Sequence, residues 1–477
     1  MKYVVALTED LNQRLLSHLR RADGQEDLCF GIWHPSRGTS RLTVLITEVV
    51  LPRRGDRRVH GNASFMPRYF ERVLDRALKA RGGIAFFHSH PGAESWQGMS
   101  GDDGLAESGH AGAVSAATGL PLVGLTLAGR DGTWSARAWL RTKPRSYAPA
   151  WCTSVRVVGR RLTISIPEAS GSDFGMELDR TLSAWGDAIQ RRIAALTVGV
   201  VGLGSVGSLV TEALARIGVG HLILIDFDRA ETVNRDRVLH LYDDDARERR
   251  LKVEVAGVAA RRAATARNVE VREVPFSVVE EDGFRAALDC DVLFSCVDRP
   301  WPRSVLNLIA YSHLTSVVDG GIRLQQRLGG GVRRGDVRAQ VVGPGRTCLE
   351  CLEQFIPEDV ALERDGYLDD PTYIAGLAAD HHLRARQNVF AFSLMAAGLE
   401  TMHLLSMFAT PPGLELGPQA YHFVPGVLDD IPTTCKARCP YQGMTALGDD
   451  APISVTSVHP AAVQSRARIG AAPEGEA

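Results

Sequence analysis

The first 140 residues alternate short apolar runs with turn residues. "LCFGIW" (Leu28–Trp33), "RLTVLITEVVLP", "GGIAFFHSH" and "LVGLTLAG" each read as a strand, because aliphatic and aromatic runs bounded by turn residues fit a pleated, partly buried surface. "SFMPRYFERVLDRALKARGG" places Phe65, Tyr69, Val73 and Ala77 four apart, which predicts an amphipathic helix stopped by glycines. Strands and helices mix here without a strict βαβ alternation, so residues 1–140 are expected to form an α/β or α+β domain.

Residues 141–175 hold "KPRSYAPAW" and "IPEASGSDFG", rich in Pro, Ser and Gly, and read as a connector with one short strand or hairpin, "VRVVGRRLTISI". From about residue 176 the pattern changes. A helix, "ELDRTLSAWGDAIQRRIAAL", leads to strand "TVGVV", a glycine loop, helix "SLVTEALARIG" and strand "HLILID"; "DVLFSCVD" and "TSVVDGG" follow as further strands. This alternation predicts a mostly parallel, doubly wound α/β sheet over 176–445, with functional loops at the carboxyl ends of the strands. Residues 446–477, rich in Ala, Pro and Gly, are expected to form a partly disordered tail.

A chain of 477 residues with 45% apolar and 23% charged residues is ordinary for a globular protein of two or three domains. A formal net charge of −2 supplies no overall field for nucleic acid or an anionic membrane surface. No uninterrupted apolar run reaches spanning length. The start, "MKYVVALTEDLNQRLLSHL", is too acidic and interrupted for a secretory signal, so a cytoplasmic protein is expected. The eight cysteines then point to thiols or a metal site rather than disulfides.

His88 and His90 end the run "IAFFHSH". Residues i and i+2 of a strand share a face, so both imidazoles can address one ion, and Asp103 can close the set. Two His, one carboxylate and a water form a usual open zinc arrangement. The whole string, His-Ser-His-Pro followed by Ser100-x-x-Asp103, resembles the JAMM motif of the JAB/MPN metallopeptidases, over roughly residues 1–140. The resemblance implies a JAB/MPN-like fold, His88, His90 and Asp103 as ligands of a catalytic Zn²⁺, Ser100 as stabiliser of the oxyanion, and a Glu before the first core strand as general base. That residue is Glu26, with Glu48 in reserve. The loop before Ser100 is longer than in the better-known members, which leaves Asp102 as an alternative ligand.

"VVGLGSVGS" supplies Gly202, Gly204 and Gly207, which allow a tight turn and close approach of backbone to phosphate at a helix N-terminus. This loop alone fits NAD and ATP equally, and Asp226 could bind ribose in either case. Asp228, Asn234, Arg237, Lys252 and Asp298 follow, a charged set suited to nucleotidyl transfer rather than to hydride transfer. Together they resemble the adenylation domain of the ThiF/MoeB/ubiquitin-activating family. The resemblance implies ATP and Mg²⁺, with Asp226 on ribose, Arg237 and Lys252 on the phosphates and Asp298 on Mg²⁺. Arg180 resembles a family arginine that reaches the ATP of a partner subunit, which implies a homodimer.

Cys348 and Cys351 ("CLEC") with Cys435 and Cys439 ("CKARC") match the family's structural Zn²⁺ tetrad, although the second pair has a wider spacing. Between Cys351 and Cys435 there is no cysteine, where thioester-forming members place their nucleophile. The expected activity is therefore cleavage after, and adenylation of, the C-terminus of a ubiquitin-like or sulfur-carrier protein, ending at the acyl-adenylate. An NAD-dependent oxidoreductase and a scaffold with decayed sites are the alternatives. Arg53, Arg54, Arg57 and Arg58 read as a solvated loop that could steer an acidic partner.

Overall fold

The computed structural model describes residues 1–60, 62–167, 174–377 and 387–467. They divide into two compact units, Met1–Ser172 with Tyr311–Leu314 and Met444–Ala451, and Asp173–Ala310 with Thr315–Gly443 and Pro452–Ala477.

The first unit is built on a nine-stranded sheet. Its strands are β1 (Lys2–Thr8), β2 (Leu28–Arg37), β3 (Arg41–Val50), β6 (Gly83–His90), β7 (Val123–Ala128), β8 (Trp134–Lys143), β9 (Ser146–Trp151), β10 (Val155–Val158) and β11 (Leu162–Ser165), while β4 (Arg57–His60) and β5 (Asn62–Phe65) pair as a separate hairpin. The order is β11-β10-β1-β3-β2-β6-β7-β8-β9. Alternation along β2 and β6 builds a core on each face. Cys29, Ala85 and Phe87 join Leu15 and Leu19 of helix α1 (Glu9–Leu19) on one side. Leu28, Phe30, Ile84 and Phe86 join Tyr69, Val73 and Ala77 of α2 (Pro67–Ala80) and Ala111 and Val114 of α3 (Gly101–Thr118) on the other. Tyr69, Val73 and Ala77 of the predicted stripe lie on the buried face of α2, but Phe65, expected on the same helix, ends β5 instead, because the helix starts only at Pro67; the residue that turns left-handed at its end is Arg81, at φ +53°, ahead of the glycines.

Two expectations are corrected here. The hairpin in 141–175 forms as β10 and β11, but it extends the first sheet, because β10 pairs in parallel with β1. "KPRSYAPAW", expected within the connector, supplies β9, an edge strand of the first sheet, where Pro149 needs no partner for the N–H it lacks.

The second unit holds an eight-stranded sheet, β14-β13-β12-β15-β16-β17-β18-β19. Its strands are β12 (Thr197–Val201), β13 (His221–Ile225), β14 (Glu270–Val274), β15 (Val292–Ser295), β16 (Ser316–Gln326), β17 (Val332–Val342), β18 (Gln419–His422) and β19 (Val427–Asp430). The half from β14 to β16 is parallel, as expected of a Rossmann-like sheet, and the half from β16 to β19 is antiparallel. The helix expected before β12 is broken into α4 (Asp179–Trp185) and α5 (Asp187–Ala194) at Gly186, whose φ of +80° no helix interior accepts. Helix α6 (Ser205–Ile217) follows the glycine loop.

The helix Phe390–Ala409 is long and apolar enough by composition to cross a membrane, although Ser, Thr, Glu and His interrupt it. Half of that stretch is buried, and the helix packs on α6, β16 and β17 as a core element. Within the tail, Pro460–Ala467 is a helix, and residues 468–477 lie outside the described residues.

Candidate functional sites

His88 and His90 close β6 on the face shared with Phe86, and Leu28 of β2 lies opposite His88. Asp103 comes from the first turn of α3. Ser100 caps that helix: its Oγ accepts the Asp103 N–H at 3.1 Å, while Asp103 Oδ2 accepts the Ser100 N–H at 2.9 Å. The box aims the Asp103 carboxylate at both imidazoles, with His88 Nε2 3.3 Å from Oδ1 and His90 Nε2 3.4 Å from Oδ2. Ligand atoms of all three residues lie within 4.8 Å of one another. The exposed Asp102 stands outside this group. Burial works against the charge of Asp103, yet hydrogen bonds from His88 and His90 hold it far below the carboxylate range. The same carboxylate raises His90.

Glu26 lies just ahead of β2, close enough to His90 to bear on its charge. Glu48 instead pairs with Arg76 at 2.8 Å on an exposed part of β3. Ser100 keeps its hydroxyl proton while its oxygen accepts the helix cap.

Two supporting networks were not legible in the sequence. Asp27, next to Glu26, is buried; Arg57 grips it through Nη2 at 2.7 Å and through Nε, and Ser89 Oγ accepts its N–H at 3.1 Å. Arg57 is therefore no solvated loop residue, although Arg53, Arg54 and Arg58 are exposed. Behind His88, the buried pair Glu107–Arg137 passes a hydrogen bond from Arg137 Nη1 to Thr126 Oγ1 at 2.6 Å, and Thr126 Oγ1 lies 3.2 Å from His88 Nε2.

In the second unit the glycine loop joins β12 to α6. Gly202 has φ +86°, and a Cβ there would sit 2.6 Å from the carbonyl of Cys296. A Cβ at Gly207 would meet the Gly202 carbonyl at 1.8 Å, whereas at Gly204 nothing lies within 4 Å. Two glycines thus pack the loop tightly and the third faces open space, a cradle suited to phosphate.

Asp226, at the carboxyl end of β13, accepts the Leu203 N–H at 2.6 Å and the Asp228 N–H at 2.7 Å. Burial, with Asp228 beside it, raises its carboxyl above the usual range. Lys252 pairs with Asp228 at 2.8 Å. Burial opposes the charge of Lys252, but Asp226, Asp228 and Asp298 together hold its ammonium above the usual range. These four residues therefore cluster near the carboxyl ends of β13 and β15.

Asn234 and Arg237 do not join it. Asn234 Oδ1 accepts the Glu231 N–H at 3.2 Å and closes a short turn, and Arg237 donates to Val233 O at 2.5 Å and to Asp236 at 2.7 Å. Arg180 is exposed on α4.

The four sulfurs of Cys348, Cys351, Cys435 and Cys439 lie within 4.8 Å of one another. Backbone N–H groups point at them, from Cys348 to Cys435 Sγ at 3.2 Å, from Cys351 to Cys348 Sγ at 3.3 Å and from Lys436 to Cys351 Sγ at 3.4 Å. Such donors favour thiolates, so this group fits a closed structural zinc site despite the wider second spacing. The other cysteines are poor nucleophiles. Burial pushes the Cys152 thiol up to about 12 and, with Glu400, pushes Cys296 well above its usual value, while Cys29 and Cys290 are fully buried.

Residues 178–409 match the ThiF family. Among curated proteins, the chain is similar to ubiquitin-like modifier-activating enzyme 5 of Caenorhabditis elegans, 28% identical over 191 residues that make up 37% of this chain and 42% of the relative. It is also similar to molybdopterin-synthase adenylyltransferase of Escherichia coli K12, 30% identical over 164 residues, 34% of this chain and 59% of the relative. The chain thus spans about half the length of the curated relatives it matches. Among solved structures, Escherichia coli MccB with ATP is similar over 57% of this chain and 76% of that one, with a TM-score of 0.44 and 16% identity.

Proposed function

We propose, on the premise that residues 178–409 form a ThiF family domain, that this chain uses ATP to adenylate the C-terminal carboxylate of a ubiquitin-like or sulfur-carrier protein. The convergence of Asp226, Asp228, Lys252 and Asp298 beside the glycine loop carries the reading. The α6 N-terminus and the loop N–H groups receive phosphate, and Asp226 accepts from ribose hydroxyls. Lys252 leaves Asp228 to meet phosphate charge as the carrier carboxylate attacks the α-phosphate and pyrophosphate departs. Asp298 would hold Mg²⁺, which offsets phosphate charge when bound. With every cysteine outside the tetrad buried or high in pKa, the product stays an acyl-adenylate. Arg180, exposed on α4, serves the pocket of a second copy in a homodimer.

The first unit, read as a JAB/MPN-like domain, acts on the same class of tail as a peptidase. A zinc ion held by His88, His90 and Asp103 would supply Lewis acidity and lower the pKa of a water. Glu26 would accept a proton from water, Ser100 would donate its hydroxyl hydrogen to an oxyanion, and Thr126 would hold the His88 ring. The reading is supported by the ligand atoms lying within 4.8 Å of one another, with Glu26 beside them.

Exchange of labelled pyrophosphate into ATP, run with and without carrier proteins ending in glycine, tests the adenylation. Exchange that needs both carrier and Mg²⁺, and is lost in Asp298→Ala, is the expected result. Exchange unaffected by Asp298→Ala would contradict it.

A further inference from the structure

Part of the C-terminal segment, residues 454–467, packs against the loop that follows β13. Helix Pro460–Ala467 lies against the loop Asp226–Arg229, which carries both Asp226 and Asp228. Ser465 Oγ donates to the Phe227 carbonyl at 2.5 Å, and Arg229 Nε donates to the Ser465 carbonyl at 2.6 Å, so bonds run both ways on either side of Asp228. Arg466 fastens the helix beyond β14, donating to Glu280 at 2.8 and 3.1 Å and to the Pro275 carbonyl at 3.0 Å, with its guanidinium 4.3 Å over the Phe276 ring. Earlier in the segment, the Ser454 carbonyl accepts from Trp301 Nε1 at 2.9 Å, just past β15. The His459 ring is 5.3 Å from the Phe227 ring and 6.1 Å from the Trp301 ring.

The segment therefore crosses the carboxyl ends of β13, β14 and β15, the edge at which open α/β sheets bind their ligands. Asp226 is held from the inside by the Leu203 and Asp228 N–H groups, and Asp228 from the Lys252 side by that residue's N–H on its carbonyl at 2.9 Å. The tail supplies the remaining side of the same loop.

We infer that residues 454–466 form a strap that sets the affinity of the nucleotide site, with Ser465 and Arg466 as positioning residues that hold the Asp226–Arg229 loop without touching nucleotide. The inference rests on the adenylation reading. Coupling of this kind is reciprocal: if the docked strap tightens ATP binding by some factor, bound ATP must hold the strap down by the same factor.

Calorimetric titration of the full chain with ATP and Mg²⁺ tests it, alongside hydrogen exchange of Pro460–Ala467 with and without ATP. Ser465→Ala and Arg466→Ala should bind ATP about fivefold or more weakly. Ser465→Thr, which keeps the hydroxyl, should bind as the unaltered chain does, and ATP should slow exchange in the helix of the unaltered chain. That last measurement decides the matter even if a variant folds poorly. Equal affinity across the alanine variants, a threonine variant as weak as alanine, or helix exchange indifferent to ATP would overturn the strap while leaving the ATP site standing. An unaltered chain that fails to bind ATP would overturn the adenylation reading and the strap with it.

Discussion

Lys252 holds Asp228 twice, through its Nζ on the carboxylate at 2.8 Å and through its backbone N–H on the carbonyl at 2.9 Å. The second bond survives truncation of the side chain, so the two effects separate. Lys252→Ala should keep the loop in place and lose the phosphate contact, weakening ATP by about 2 kcal/mol, the usual worth of a hydrogen bond to a charged group. Asp228→Asn should leave Lys252 better able to turn to phosphate. Titration of both variants with ATP checks this, and equal losses in the two would contradict the division of roles.

Two separate metal groups predict two zinc ions per chain. Elemental analysis should find both in the unaltered protein and about one in His88→Ala. Cys348→Ser should also lose one, together with a clear loss of thermal stability, because a closed cysteine site contributes directly to folding. Full zinc content in His88→Ala would remove the first site.

On the proposed role of Glu26 as a base that ligates nothing, Glu26→Gln should abolish cleavage of a carrier tail with zinc content unchanged. Glu48→Gln should cleave normally, because Glu48 is engaged with Arg76 on the exposed part of β3. The reverse pattern would transfer the role of base to Glu48.

What the sequence revealed is what neighbouring residues encode. The glycine loop, Asp226 and Asp228 lie on one strand–turn–helix–strand run, and His88, His90 and Asp103 on one strand and the helix after it, so local pattern sufficed. Thr126 is brought to His88 by the pairing of β6 with β7, and Arg57 reaches Asp27 from the separate β4–β5 hairpin, contacts between distant segments that no local periodicity carries. Arg237 turns to its neighbour Asp236 and to the Val233 carbonyl, a direction that a motif, which fixes only order along the chain, does not carry. The docking of the tail helix was not legible because its small side chains offer no broad hydrophobic stripe, and Ser465 and Arg466 fasten it by hydrogen bonds to distant segments.

Glu280 supplies a pH test of that docking. Burial acts to raise its carboxyl, but Arg466 and the N–H groups of Ser277 and His459 outweigh it and hold the group below the usual range. A depressed carboxyl stabilises the fold above its unfolded pKa, about 4.3 for Glu, and the contribution disappears as pH falls through the lower native value. His459 itself is lowered by burial and remains neutral near pH 7. Protection of Pro460–Ala467 against hydrogen exchange, corrected for intrinsic rates, should be level from pH 7 to about 5 and lost below about 4. Glu280→Gln should be less protected and show no step there. A step near pH 6.5 would assign the docking to a histidine instead.

The choice of nucleotide tests the account most directly. The glycine loop admits ATP and NAD alike, and only the charged group around Lys252 distinguishes them. Equilibrium titration of the full chain with ATP plus Mg²⁺, and separately with NAD, should show saturable ATP binding that Lys252→Ala weakens and no saturation with NAD at the same concentrations. Saturable NAD binding with none for ATP would contradict the adenylation reading.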